Sequence, residues 1–105
     1  MKLLTKEIKK KLPKPNEMEG VEDPIVQVKF FNPCGRGTWY GIEYDEERKE
    51  FFGLVDLDYT TLGYFSLEEL ENLRVPPFGL KIERDKYFKP KKLSEVKESI
   101  KKGVY

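Results

Sequence analysis

Hydrophobic and polar positions follow two periods along this chain. Leu4, Ile8 and Leu12 recur every four residues, the stripe of a short helix, with Thr5 placed to cap it and Pro13 to end it. Residues 13–24 have no period, are broken by Pro13, Pro15, Gly20 and Pro24, and read as a loop, acidic at Glu17, Glu19, Glu22 and Asp23. From Ile25 to Phe31 the period becomes two. Val26, Val28 and Phe30 alternate with Gln27 and Lys29, which predicts a strand with one buried face. Residues 32–37 turn the chain, and Thr38 to Tyr44 is a second strand with Tyr40, Ile42 and Tyr44 opposite Trp39, Gly41 and Glu43. Asp45 to Lys49 is a charged hairpin loop, and Phe51 to Leu57 a third strand.

The second half is more broken. Leu62 to Phe65 predicts a short fourth strand. Ser66 and Glu69 have capping-box spacing, and Leu67, Leu70 and Leu73 give the helix that follows an apolar side, before Pro76 and Pro77 stop it. Leu80 to Arg84 alternates as a last strand. Ser94 is placed to cap a final helix, with Leu93, Val96 and Ile100 on one side and Gly103 near its end. Strands joined by turns this short pair antiparallel, since parallel pairing needs long crossovers. The expected fold is therefore α+β: an antiparallel meander sheet of four or five strands, with two or three short helices on one side. Residues 1–105 are expected to form a single domain.

Composition narrows the chemistry. The chain has no histidine and one cysteine, Cys34, which removes His-based triads, His–Cys dyads, Cys-rich zinc sites and any intrachain disulfide. No cofactor or metal is expected. No apolar run approaches the roughly 20 residues of a membrane span, and the N-terminus turns charged too soon for a signal peptide, so a cytoplasmic protein is expected. Charged residues make up 37% of the chain, mostly Lys and Glu, a balance found in proteins from hot habitats and also produced by AT-rich coding bias. The net charge of +1 hides an asymmetry. Residues 1–14 carry six Lys against Glu7, residues 80–105 carry nine basic against four acidic groups, and residues 43–58 carry seven acidic against two basic groups.

Four features are candidates for function. The turn Cys34-Gly35-Arg36-Gly37 has the glycines of an anion loop, but it leads into a strand, which favours a plain hairpin turn. Glu43, Asp45, Asp56 and Asp58 would converge if their strands pair, although an antiparallel sheet ordinarily solvates such a face. Glu83-Arg84-Asp85 suits ion pairing, or a guanidinium fork for a carboxylate or phosphate. Of the 14 aromatic residues, most must fill a core that has no alanine, and Tyr40, Tyr64 and Tyr87 are the ones expected outside it.

An ordered set of stretches also resembles a known family. They are Met1–Thr5 with Ile8 and Leu12, Val28–Phe31, Thr38–Tyr40 with Glu43 and Asp45, Phe51–Gly53, and Leu62–Leu67 with Glu69 and Leu70. Gly79-Leu80 with Ile82–Asp85, Phe88–Pro90 and Leu93–Glu95 complete the set. The chain is similar there to an uncharacterised family of small proteins of unknown function encoded on phages, plasmids and conjugative elements. That resemblance implies an accessory protein of a mobile element. It implies no assigned activity, and no functional residue carries over.

The leading expectation is a non-enzymatic binding module for a protein or nucleic-acid partner, with no membrane role. Its contact residues would be Tyr40, Glu43, Tyr64, Glu83, Arg84 and Asp85. A basic surface of Lys6, Lys9, Lys10, Lys91, Lys92 and Lys101 would form if the two terminal helices lie side by side. The near-neutral total counts against nucleic acid. The alternative is a small carboxylate enzyme, metal-assisted or not, using Glu43, Asp45 or Asp85.

Overall fold

The computed structural model describes residues 2–103. A five-stranded antiparallel sheet forms its centre, built from β2 (Val28–Phe31), β3 (Thr38–Asp45), β4 (Glu50–Asp56), β5 (Thr60–Ser66) and β8 (Glu83–Arg84), in the order β5-β4-β3-β2-β8. The meander from β2 to β5 follows chain order because each connection is a short turn. Three helices surround it: α1 (Lys6–Lys11), α2 (Leu67–Asn72) and α3 (Leu93–Lys101). Two small ribbons complete the fold, one of β1 (Ile25–Val26) with β9 (Lys91–Lys92), the other of β6 (Arg74–Val75) with β7 (Leu80–Lys81). The fold is α+β with an antiparallel sheet, as the alternation predicts.

Thr5 and Ser66 cap their helices as expected. Thr5 Oγ1 accepts from the Ile8 amide at 3.2 Å, and Ser66 Oγ accepts from the Glu69 amide at 3.2 Å. The cap of α3 is different. Ser94 lies inside the helix, and the loop residue Asp23 takes over: its carboxylate accepts from the Ser94 amide at 2.9 Å and from the Ser94 hydroxyl at 2.7 Å. These two bonds hold the Asp23 carboxyl below its ordinary range.

The helices do not share one side. Register places Phe30, Trp39 and Val55 in one cross-strand row and Lys29, Tyr40 and Leu54 in the next, and successive rows face opposite ways. The first face packs with Leu3, Leu4, Ile8 and Leu12 of the N-terminal segment, with Leu67 and Leu70 of α2, and with Val75 and Ile82. Four aromatic rings, Phe30, Tyr44, Phe51 and Phe65, meet at its centre with centroids 4.8–6.5 Å apart. The second face packs under α3, where Leu93, Val96 and Ile100 meet Val26, Tyr40, Ile42 and Leu54. With cover on both faces, both phases of β3 are buried, from Thr38 to Tyr44. Tyr40, expected outside, is 3% exposed.

Two expected strands are broken for a reason. Gln27 interrupts Ile25–Phe31 by donating to the Gly41 carbonyl, which frees β1 to pair with β9 beside α3. Ile82 interrupts Leu80–Arg84: its side chain sinks into the first core, leaving β7 to pair with β6 and β8 with β2. A register shift between Gly41 and Glu43 bulges β3, and there a Cβ on Gly53 would stand 1.8 Å from the Tyr40 carbonyl oxygen, so only glycine fits.

Candidate functional site

The single helix α3 covers the middle of the second face and leaves both of its ends open. At the end near the β3–β4 turn, Phe52 and Tyr64 are cross-strand partners with ring centroids 5.2 Å apart. Tyr64 is 69% exposed, and Leu62, on the same face of β5, is also exposed. The shallow groove along these rings is bordered by Glu43, Asp45, Glu47 and Glu50 against one cation, Arg48. β5 is the outer strand of the sheet and carries no charged side chain from Thr60 to Ser66. Edge strands usually carry charge to discourage pairing.

The four carboxylates singled out in the sequence do not converge. Glu43 lies opposite Phe52, whereas Asp56 pairs with Thr38 at the other end of β4, and Asp58 lies beyond it in the exposed turn. Glu43 is buried and accepts from the amides of Asn16 at 3.1 Å and Met18 at 2.9 Å, which ties the acidic loop to the sheet. Asp45 accepts from the amides of Glu47 and Arg48 and shapes the hairpin. No three His, Cys, Asp or Glu side chains among the described residues form a group that could hold a metal ion.

Glu83, Arg84 and Asp85 are all half-buried. Arg84 donates to the carbonyls of Lys2 and Leu3, fastening the N-terminal segment to the sheet edge. Asp85 faces Lys29. The turn at Cys34 is a hairpin between β2 and β3, closed by Asn32, whose Oδ1 accepts from the Cys34 amide at 2.8 Å and whose Nδ2 donates to the Arg36 carbonyl at 3.2 Å.

The basic residues divide between the two faces. Lys6, Lys9 and Lys10 lie on α1, which packs with the first core; Lys101 lies on α3 and Lys91 and Lys92 just before it, beside the second. The condition for one joint helical surface, α1 and α3 side by side, is not met. Lys9 is engaged with Glu46 at 2.9 Å, which raises its pKa, and Lys91 lies 5.2 Å from the centre of the Phe88 ring. Tyr87, 90% exposed, is the aromatic that does stand among lysines, between Lys86 and Lys89.

At the far end of the second face lies a cleft of about 600 Å³ that sequence reasoning missed. Lys29, Phe31, Arg36, Thr38, Asp56 and Asp85 line it. Lys29 and Asp56 are both buried, and their opposite charges are met at 3.7 Å by Asp85 and at 3.6 Å by Arg36. The available signal was alternation itself. It put Lys29 in phase with Tyr40 and Asp56 in phase with Thr38, and a second layer of cover turns those phases inward.

A family model described as "Protein of unknown function (DUF2958)" matches residues 3–102. No curated protein and no solved structure matches the chain. No helix among the described residues is long and apolar enough to cross a membrane.

Proposed function

For a chain that belongs to the DUF2958 family of proteins of unknown function, we propose a non-catalytic binding module that docks a basic protein segment on the open, acidic end of its sheet. The observation that carries this reading is the exposed Tyr64 paired with the half-buried Phe52 and bordered by Glu43, Asp45, Glu47 and Glu50. Exposed aromatics are the usual anchors of protein interfaces. Nucleic acid is the poorer match here, because four carboxylates repel phosphates from the rings that would stack bases. Glu43 and Asp45, the carboxylates an acid–base role would use, already accept backbone amides. The earlier resemblance adds a setting: an accessory protein of a phage, plasmid or conjugative element, acting in the cytoplasm.

Peptide display on the immobilised full chain tests this reading. Lys- and Arg-rich peptides carrying one or two apolar side chains should be enriched, and their addition should shift the amide resonances of Phe52, Leu62 and Tyr64. Tyr64→Ala should weaken binding by about tenfold or more, as loss of an aromatic anchor does. Enrichment of acidic peptides, or shifts confined to α1 and α3, would overturn it.

A further inference from the structure

We propose that the cleft beneath the residue 32–37 turn binds a small zwitterion, with Lys29 receiving its oxyanion and Asp56 its cationic nitrogen. This site is at the opposite end of the second face from the Phe52–Tyr64 strip and stands independently of the protein-docking reading.

Two buried charges of opposite sign carry the argument. The Lys29 side chain is 10% exposed and that of Asp56 is 2% exposed. Removing such groups from water is costly unless hydrogen bonds and close counter-charges replace it. Neither group has a full set among the described residues. Asp85 Oδ2 lies 3.7 Å from Lys29 Nζ, beyond hydrogen-bond range, and the centroid of the Tyr40 ring is 5.9 Å away. Asp56 Oδ1 accepts from Thr60 Oγ1 at 3.0 Å and lies 3.6 Å from Arg36, while no described residue donates to Oδ2. No fully buried side-chain polar atom among the described residues lacks a hydrogen-bond partner, so the unfilled positions of Lys29 and Asp56 are ones that solvent reaches, and the route by which it does calls for an explanation.

The cleft supplies one. Its volume, about 600 Å³, is that of a small-molecule site, and Phe31 with Thr38 adds an apolar wall between the charges. The exposed Arg36 and the half-buried Asp85 act as tethered counter-ions, loosely holding the buried charges in the free protein. A ligand bearing the same two charges replaces both at once. A simple anion has to displace Asp85 and gains nothing from Asp56, and a simple cation meets the reverse problem at Lys29. Lys29 and Asp56 lie two strands apart and one two-residue step along the sheet, so their backbones are separated by roughly 10–12 Å. The fitting ligand therefore holds its amine or guanidinium several bonds from its carboxylate, as the side-chain nitrogens of free lysine and arginine do.

Calorimetric titration of the full chain with L-arginine, L-lysine and ε-aminocaproate tests the proposal, with pentylamine and pentanoate as single-charge controls. At least one zwitterion should bind saturably, about tenfold or more tighter than either control, since each control leaves one buried charge unmatched. Lys29→Gln and Asp56→Asn should abolish that binding, with folding checked by circular dichroism. Arg36→Ala, at an exposed turn position, should tighten binding by about two- to fivefold, because it removes a competing surface-type ion pair. Saturable binding by none of the three zwitterions, equal binding by pentylamine or pentanoate, or weaker binding by Arg36→Ala would each overturn the assignment.

Discussion

The two faces of the central sheet receive unequal cover. The N-terminal segment, α2, Val75 and Ile82 close the first face over an aromatic cluster, and no charged side chain enters that core. The second face has α3, the adjoining β1–β9 ribbon and single loop side chains, Met18 and Phe88. A nine-residue helix is about 14 Å long, while five strands span roughly 20 Å and the longest, at eight residues, runs more than 25 Å. Both ends of the second face therefore stay open. One end presents aromatic rings among carboxylates, and the other holds buried charges in a cleft. Where cover is sufficient the sequence is devoted to packing, and where it falls short exposed rings and charged side chains appear.

That contrast can be broken by mutation. Phe51→Ala, at a fully buried ring on the closed face, should cost about 3–5 kcal/mol in chemical denaturation. Tyr64→Ala, at the exposed position, should cost no more than about 0.5 kcal/mol. Comparable losses at the two sites would mean that the open end is packed in solution. Gly53→Ala sharpens the comparison, because its added methyl runs into the Tyr40 carbonyl of the bulge that both faces share. It should destabilise by about 1–3 kcal/mol or more, with no ligand or partner present.

A smaller effect concerns the cover itself. The Asp23 carboxyl titrates below the ordinary value of 3.8 because Ser94 donates to it twice. A depressed carboxyl stabilises the fold fully above that value and loses its contribution as pH falls through the lower, folded-state pKa. Protection of the α3 amides from exchange should therefore decline below about pH 3.8 in the native chain. In Asp23→Asn that acid-dependent step should be absent.

How far the sequence could be read follows from the same asymmetry. The meander, the caps at Thr5 and Ser66 and the hairpin at residues 32–37 depend on neighbours a few residues apart, and local pattern was enough for them. Tyr40, Lys29 and Asp56 were misplaced because alternation tells which residues share a face, not what covers it. The cover over Tyr40 comes from Val96 and Phe88, and the loop cap of α3 from Asp23, all long-range contacts that no local pattern contains. Tyr64 was placed correctly because it sits on an edge strand that nothing reaches.

The clasp between Asp23 and Ser94 joins positions 71 residues apart. Closing so long a loop costs chain entropy before any contact compensates, whereas the β3–β4 and β4–β5 hairpins close over a few residues. Loop entropy therefore favours the hairpins of the meander as early closures and makes the docking of α3 the late one.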